Sequence, residues 1–414
     1  MKRHKLYKDE RGKLLFLIKD DNFHSVESTI SINKKNVFRG LHINNFSKLV
    51  SCIQGSILDI IVDMRVDSKD YLKPKYFNLS ASRDNDNIIV PPNYAHGFLT
   101  LEENTIIVYN FSDKFIQEET VHIHYKDPYI KLQLPENINF IISDKDNLRN
   151  FVKPIDYAIL GSGGYLGNYI TNILNKTKNV ITLDNRLSDV DGIKNDLMLY
   201  TPKYLINAAG ISNPDWCDSN KEKTIETNVT YQLTLCHICR ELGIHLTLFG
   251  TGGIFNKNII YGDDDSGDYY EKFYSESRIY LEKLISSYKN VLYLRINYPI
   301  SSCSNPKNLL IKLINFTKIS NSTISITCVD TLFPLLPNII ENREFGIINF
   351  VNPGTISLVD IKEEYNTINN ISRNYEIVEI NYKPAIILNT SKIEKYNPEN
   401  IIVSVKKILH SFHD

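Results

Sequence analysis

The sequence predicts two unlike domains, an all-β jelly roll followed by an α/β domain on a doubly wound parallel sheet. Three observations carry this. Up to about residue 150 the chain holds short runs rich in β-branched and aromatic residues, separated by polar turns. From Tyr157 onward strand-like runs alternate with helical ones. Between the first of those strands and its helix lies a glycine-rich turn, Gly161-Ser-Gly-Gly164-Tyr-Leu-Gly167. At 414 residues the chain is also too long for one ordinary core.

In the first part, Ile57-Leu-Asp-Ile-Ile-Val62 and Thr105-Ile-Ile-Val-Tyr109 read as strands, and Ser82-Arg-Asp-Asn-Asp-Asn87 as a turn between strands. No amphipathic helix stands out, and many short strands at regular spacing fit a sandwich or barrel. The pattern changes near Pro154, so the boundary is placed at 147–155, with domains 1–150 and 151–414. In the second part, Tyr157–Leu160, Val180–Leu183, Tyr204–Asn207 and His245–Phe249 read as strands. Tyr169–Leu174 and the stretch from Thr224 to Leu242 read as helices, an order that gives a parallel sheet with helices on both faces.

Composition narrows the function. Lys+Arg 47 against Asp+Glu 48 leaves a net charge of −1, no footprint for nucleic acid or an anionic membrane. The first 21 residues hold only a five-residue apolar run, Leu14–Ile18, shorter than a secretory core. No window reaches the about 18 apolar residues of a membrane span. Six cysteines in such a chain make no disulfide framework. Cys236-His-Ile-Cys239 lies in a helical stretch with no second pair and reads as buried structural thiols, not a metal or redox site. The expected compartment is cytoplasmic.

The glycine-rich turn follows a strand and opens a helix, the context for a dinucleotide. Glycines allow backbone approach to a pyrophosphate, and the helix N-terminus offers free N–H groups and positive dipole. Gly161, Gly163, Gly164, Tyr165, Leu166 and Gly167 are therefore candidate cofactor residues. Asp184 ends the second strand, where an acid accepts from a ribose 2′-hydroxyl and favours NADH. Arg186, two residues on, would take a 2′-phosphate and favour NADPH, so the choice stays open.

Further motifs follow: Asn207-Ala-Ala-Gly210, Asp215-Trp-Cys-Asp218, Thr227-Asn228, Phe249-Gly-Thr251, Tyr274, Leu294-Arg295 and Asn352-Pro-Gly354. This series, over essentially all of 156–410, resembles dTDP-4-dehydrorhamnose reductase, a Rossmann-type extended short-chain dehydrogenase/reductase. It is closer still to the reductase part of the plant UDP-4-keto-6-deoxyglucose 3,5-epimerase/4-reductases. The resemblance implies hydride reduction of a C4 ketone on a 6-deoxy sugar nucleotide, with a small C-terminal part binding substrate. It implies Tyr274 as proton donor, Thr251 on the ketone oxygen and Arg295 at the substrate. It places Asn207-Ala-Ala-Gly210 after the fourth strand of the sheet, and Asp196, Ala208, Ala209 and Asn228 along the cofactor. One departure stands out. The family sets Lys four residues after the Tyr, to lower the Tyr pKa and hold the ribose; here that residue is Arg278, which keeps the charge and can fork onto two hydroxyls.

The first part carries its own constellation: Phe38-Arg39-Gly-Leu-His42, Lys48-Leu-Val50, Pro91-Pro-Asn-Tyr-Ala-His96-Gly-Phe98, Tyr109 and Asp144-Lys-Asp146. Singly each has a plain reading, as a packed core histidine, a strand tyrosine or a solvated turn. In this order they resemble dTDP-4-dehydrorhamnose 3,5-epimerase, a cupin, over about residues 9–146. The gap from His42 to Lys48 is shorter than usual in the family, as is the segment before Arg39, and Phe16 stands where the family has Glu. The resemblance implies His42 as base oriented by Asp146, Lys48 stabilising the enolate, Tyr109 returning a proton from the other face, and Arg39 and His96 binding substrate. A His–Asp pair suits a base working near neutral pH. The cupin His-x-His metal pair is missing at His42-Ile-Asn44. His122-Ile-His124 has the spacing but lies in a later polar stretch, so no metal is expected.

The two resemblances converge, because a 3-epimerised 4-keto sugar is the reductase's substrate. The sequence is thus read as a bifunctional epimerase/reductase acting on a UDP- or dTDP-linked 4-keto-6-deoxy sugar, with UDP favoured and C2 open to hydroxyl or acetamido. Epimerisation at C3 alone or at C3 and C5 would use the same residues. NADPH or NADH is the cofactor, and a homodimer through the cupin domain is expected. Two alternatives are a reductase whose cupin domain only binds or dimerises, and a regulatory subunit that holds cofactor without turnover.

Overall fold

A computed structural model describes residues 7–10, 12–14, 23–82, 87–373, 375–378 and 385–412. Phe16 and the turn residues 83–86 lie outside these. The chain divides into two compact units, Met1–Lys153 and Pro154–Asp414, each of which is considered by itself. Among the described residues no helix is long and apolar enough to cross a membrane.

The first unit contains eleven strands among its described residues: β1 (Tyr7–Asp9), β2 (Gly12–Leu14), β3 (Glu27–Asn33), β4 (Phe38–Ile43), β5 (Lys48–Gln54), β6 (Ser56–Asp63), β7 (Pro74–Ser80), β8 (Asn87–Val90), β9 (Tyr94–Thr100), β10 (Thr105–Phe111) and β11 (Val121–His122). Two antiparallel sheets form the jelly roll, ordered β3-β10-β5-β8 and β11-β4-β9-β6-β7. Period-two alternation decides what lies between them. Val50 and Cys52 of β5, Ile57 and Ile61 of β6, Phe98 of β9 and Ile107 of β10 form one buried cluster. Ile60 and Val62, the alternate positions of β6, pack with Phe38, Leu41, Leu99 and Ile130 on the other face of the larger sheet. Parity therefore sends Asp59, His96, Lys48 and Tyr109 to the same interior as the first cluster.

Glycine is required where β4 meets β9. The register of the pair shifts between Arg39 and His42. Gly40 sits at φ +123°, and a Cβ there would lie 2.6 Å from the Gly97 Cα and 2.7 Å from the His96 carbonyl oxygen. Gly40→Ala should cost about 1–3 kcal/mol from backbone strain alone. A lower melting temperature for the full chain is the expected result of thermal denaturation.

The second unit has a six-stranded parallel sheet. Its strands are β12 (Tyr157–Leu160), β13 (Val180–Leu183), β14 (Tyr204–Asn207), β15 (His245–Thr251), Val291–Ile296 and Gly346–Asn349, in the order β13-β12-β14-β15 and then the last two. Helices α1 (Tyr165–Leu174), α2 (Val190–Tyr200), α3 (Pro214–Ser219), α4 (Lys221–Ile225), α5 (Tyr231–Glu241) and α6 (Phe273–Ile285) accompany it. The strands expected from sequence are present. The helix expected over 224–242 is interrupted by a π-turn at Glu226–Thr230. Asn207 ends the third strand, not the fourth: α2 occupies most of the link from β13 to β14 and leaves no room for another strand. Strand order reverses between β13-β12 and β14, so the crevice for a ligand opens beyond the C-terminal ends of β12 and β14. The glycine-rich turn lies there.

Candidate active sites

In the first unit the interior polar residues assemble into one site. His42 Nε2 lies 2.6 Å from Asp146 Oδ1, and the Gly40 N–H donates to Asp146 Oδ2 at 3.3 Å. The shifted register at Gly40 thus aims both the backbone N–H and the His42 ring at one carboxylate. Asp146 is 5 % exposed. Burial alone would push its carboxyl up, but the hydrogen bonds from His42, Gly40 and His122 outweigh it and hold it below the usual carboxylate range. Burial lowers the pKa of His42, only partly offset by Asp146. The ring is therefore neutral at pH 7, and with Nε2–H on the carboxylate its lone pair is on Nδ1.

His96 is the cross-strand partner of His42 and is 2.7 Å from Asp59 Oδ1. Both His96 and Asp59 are buried, and Asp59 Oδ2 has no hydrogen-bond partner. Lys48 donates to Asn44 Oδ1 at 3.2 Å. Burial, opposed by the Asp59 charge, brings its pKa down to about 8. Tyr109 faces the same space, and the charges of Asp59, Arg39 and Asp146 act on it. Burial holds its hydroxyl protonated well above the usual phenol range. Arg39 is exposed, its Nε donating to Asn33 Oδ1 at 2.8 Å.

The structure therefore brings together His42, Asp146, Lys48, Tyr109 and His96, with Arg39 within charge range. Burying two acids and a lysine costs several kcal/mol per ion before pairing, a cost that packing alone does not explain. Sequence reasoning missed two members. Asp59 interrupts the apolar run Ile57–Val62 at an inward position, which was the available signal. His122 pairs in register with His42 and reaches the same Asp146 Oδ1 at 3.2 Å. The His122-Ile-His124 spacing does not form a pair, because β11 ends at His122 and His124 turns to Asn147.

In the second unit the turn after β12 fits a dinucleotide. Gly161 is at φ +78°, and a Cβ there would meet the Ala209 nitrogen at 2.7 Å. A Cβ at Gly167 would run into the Gly161 carbonyl oxygen, whereas at Gly163 nothing stands within 4 Å, leaving its backbone open to a ligand. Gly164 caps α1 without a side-chain hydrogen bond, so the first N–H groups of the helix face the crevice. Tyr165 and Leu166 offer only backbone there. Tyr165 is buried with its hydroxyl on Ser301 Oγ, and Leu166 packs against the core.

Asp184, Arg186 and Asp196 line one cavity of ≈ 560 Å³ at the end of β13. Ala208 and Ala209 are held by Leu160 and by the Asn207 side chain. Two expectations are corrected. Asn228 is fully buried and spends its amide on both backbone groups of Ile211, so it shapes the loop beside the crevice without reaching it. Arg295 is 1 % exposed and forks onto Glu282, with its other donors on the carbonyls of Gly262, Asp263 and Asp265. It is a buried structural ion pair with no donor left for substrate. Cys236 and Cys239 are buried in α5, where burial pushes both thiols up, Cys236 to about 12.

Tyr274 is in the first turn of α6, and Thr251 ends β15. Ser275 Oγ donates to the Gly253 carbonyl at 2.6 Å, tying α6 to the loop after Thr251. Asp218 accepts from the Phe273 N–H, and with Asp215 it holds Lys272, so the Asp-Trp-Cys-Asp motif pins the start of α6. The Arg278 guanidinium carbon lies 5.4 Å from the Tyr274 ring centroid. Its guanidinium interacts with the Tyr274 hydroxyl, its terminal nitrogens make long contacts of 3.5 Å to Phe249 O and 3.4 Å to Ile211 O, and its buried Nε has no hydrogen-bond partner. An arginine so under-used beside the crevice has capacity for ligand hydroxyls.

Residues 2–153 match the family described as dTDP-4-dehydrorhamnose 3,5-epimerase, and residues 157–305 the NAD dependent epimerase/dehydratase family. The bifunctional dTDP-4-dehydrorhamnose 3,5-epimerase/dTDP-4-dehydrorhamnose reductase of Arabidopsis thaliana is 34% identical over 223 residues, 51% of this chain and 74% of that protein. The dTDP-4-dehydrorhamnose 3,5-epimerase of Methanothermobacter thermautotrophicus is 32% identical over 162 residues, 36% of this chain and 85% of that protein. Among solved structures, the L780 UDP-rhamnose synthase of Acanthamoeba polyphaga mimivirus aligns with a TM-score of 0.59 at 23% identity. It covers 63% of this chain and 100% of that one, which shows the fold. The match to a trifunctional Arabidopsis relative spans 44% of that protein's length.

Proposed function

The chain belongs to the family of bifunctional dTDP-4-dehydrorhamnose 3,5-epimerase/dTDP-4-dehydrorhamnose reductases, and on that premise we propose that it converts a UDP-linked 4-keto-6-deoxy-hexose to the L-6-deoxy sugar nucleotide. The observation that carries the epimerase half is the 2.6 Å contact between His42 and buried Asp146. The C4 ketone acidifies the C3 proton. His42 Nδ1 accepts it, and Asp146 supports the imidazolium that forms. The ammonium of Lys48 stabilises the enolate oxygen. Tyr109, kept protonated, returns a proton from the opposite face. Arg39 and His96 bind the nucleotide sugar, and Asp59 fixes the His96 ring.

In the second unit the turn Gly161–Gly167 and the open start of α1 would hold a nicotinamide cofactor, which when bound would supply the hydride for C4. Thr251 hydrogen-bonds the ketone oxygen and Tyr274 donates the proton to it. Arg278 stabilises the tyrosinate left behind and uses its spare donors on the ribose hydroxyls. Asp184 favours NADH by accepting from the adenosine ribose, while Arg186 beside it would accept a 2′-phosphate. Epimerisation through an enolate is near thermoneutral, and hydride transfer draws it forward. Running candidate UDP- and dTDP-linked 4-keto-6-deoxy sugars in deuterated water tests the whole reading. A product with deuterium at C3, or at C3 and C5, and the L configuration is expected; reduction without any exchange would remove the epimerase half.

The pH profile of C3 exchange has two limbs. His42 must be neutral to act as base, and its pKa lies below the ordinary 6.5, so the acid limb should fall below that value. Lys48 must be charged, and its pKa is about 8, so exchange should be lost as pH rises through about 8. Lys48→Arg keeps the charge and should move the alkaline limb up; an unmoved limb would remove Lys48 from the assignment. A homodimer through the first unit belongs to the same reading. Among the described residues β3 is an edge strand with Ile30 and Ile32 exposed, a template for pairing. Light scattering should return twice the chain mass, and Ile30→Lys with Ile32→Lys should shift it toward monomer.

A further inference from the structure

We infer that His42, His122 and Asp146 form a divalent transition-metal site, and that an ion bound there switches the epimerase site off. The three side chains offer one ligand atom each, and these atoms lie within 4.8 Å of one another. The arrangement is built by strand pairing. β11 is two residues long, and its register puts His122 opposite His42. The rings meet edge to face with centroids 4.6 Å apart, and His42 Nε2 and His122 Nδ1 converge on one oxygen, Asp146 Oδ1. A single acceptor under two imidazoles is more than a base needs, since one carboxylate contact already orients His42.

The ligand chemistry selects the ion. Two imidazoles and a carboxylate suit Zn²⁺, Co²⁺ or Ni²⁺ better than Mg²⁺ or Ca²⁺. Nitrogen and oxygen ligands at about 2.0–2.1 Å around a tetrahedral ion stand roughly 3.3 Å apart. The 3.2 Å contact already has that spacing, the 2.6 Å contact must open by about 0.7 Å, and the two ring nitrogens, within 4.8 Å of each other, settle to the same distance around the ion. The side chains of His42 and His122 are 29 % and 22 % exposed, which gives the ion a path in. Three protein ligands leave further positions for water.

The switch follows from the imidazole tautomer. Without metal, His42 holds its hydrogen on Nε2 against Asp146 and keeps its lone pair on Nδ1. A metal takes the Nε2 lone pair, so the ring's hydrogen moves to Nδ1, and that atom can no longer accept a substrate proton. The His42 ring stays neutral through this change of tautomer, and it neither gains nor loses a proton. Asp146 becomes a metal ligand and no longer supports an imidazolium.

The test is Co²⁺ titration of the chelator-treated full chain, followed by visible absorption and equilibrium dialysis. One Co²⁺ per chain is expected, with d–d bands of a low-coordinate nitrogen/oxygen site. His122→Asn, and separately His42→Asn, should weaken binding at least about tenfold, the smaller loss known even for removing a ligand's supporting partner. Circular dichroism and an unchanged melting transition of the full chain establish that each variant is folded. One equivalent of Zn²⁺ should suppress C3 exchange and leave reduction intact, and a chelator should restore exchange. No Co²⁺ spectrum, a thiolate charge-transfer band that moves the ion to a cysteine such as exposed Cys303, or equal binding by folded His122→Asn would each overturn the site. Metal binding is read without substrate. A chain that binds Co²⁺ through His122 but never exchanges C3 would sink the epimerase reading and leave the metal site standing.

Discussion

A His42→Ala chain should lose deuterium incorporation at C3 by about 10²–10⁴-fold, the range a positioned general base supplies. It should still reduce a 4-keto sugar nucleotide that already has the product configuration. Mass spectrometry of the recovered substrate measures the first, and nicotinamide absorbance the second. Wild-type exchange in the variant would show that His42 is not the base. Asp146→Asn sharpens the test. An amide is nearly isosteric but carries no charge, and it can donate to His42 Nε2, which would place the ring hydrogen on Nδ1. A carboxylate-to-amide change of this kind costs about 10⁴-fold where an acid fixes a catalytic imidazole. If Asp146→Asn exchanged at the wild-type rate, the 2.6 Å contact would be packing alone.

Much of this was legible in the sequence, for physical reasons. Runs rich in β-branched and aromatic residues between polar turns marked strands of the first unit, and the glycine-rich turn between a strand and a helix marked the crevice of the second. His42 and Asp146 are 104 residues apart, and nothing local joins them; only the resemblance could, and the fold then brought them into contact. Asp59 was visible only as an acid inside an apolar run. Which face it took depended on the parity of β6, and its partner His96 lies 37 residues away in sequence. His122 was legible as half of a His-x-His spacing, but the strand ends at His122, so His124 leaves the site. Arg295 misled because a charged residue in a motif looks functional from sequence. Its partners, Glu282 and three carbonyls, come from segments that only the folded sheet assembles. The same holds for Asn228, whose amide is consumed by the backbone of Ile211.

The second large effect concerns Tyr274 and the arginine beside it. Tyr274→Phe should reduce NAD(P)H oxidation by about 10²–10⁴-fold, the range a positioned general acid supplies. C3 exchange should continue, so the epimerised 4-keto sugar should accumulate. Arg278 is the cation that would face the tyrosinate left after proton transfer. Its charge sits 5.4 Å from the ring and is wholly buried, where water screens it least. Arg278→Lys restores a point charge and should keep turnover within about tenfold. Arg278→Met removes the charge at similar length and should leave cofactor binding weakened and reduction nearly lost. The two variants separate charge from shape. If Met were tolerated as well as Lys, Arg278 would only fill space. If Lys failed while Arg turned over, the fork itself would be required, and its spare Nε and long contacts to Phe249 and Ile211 would mark the donors that close on the ribose.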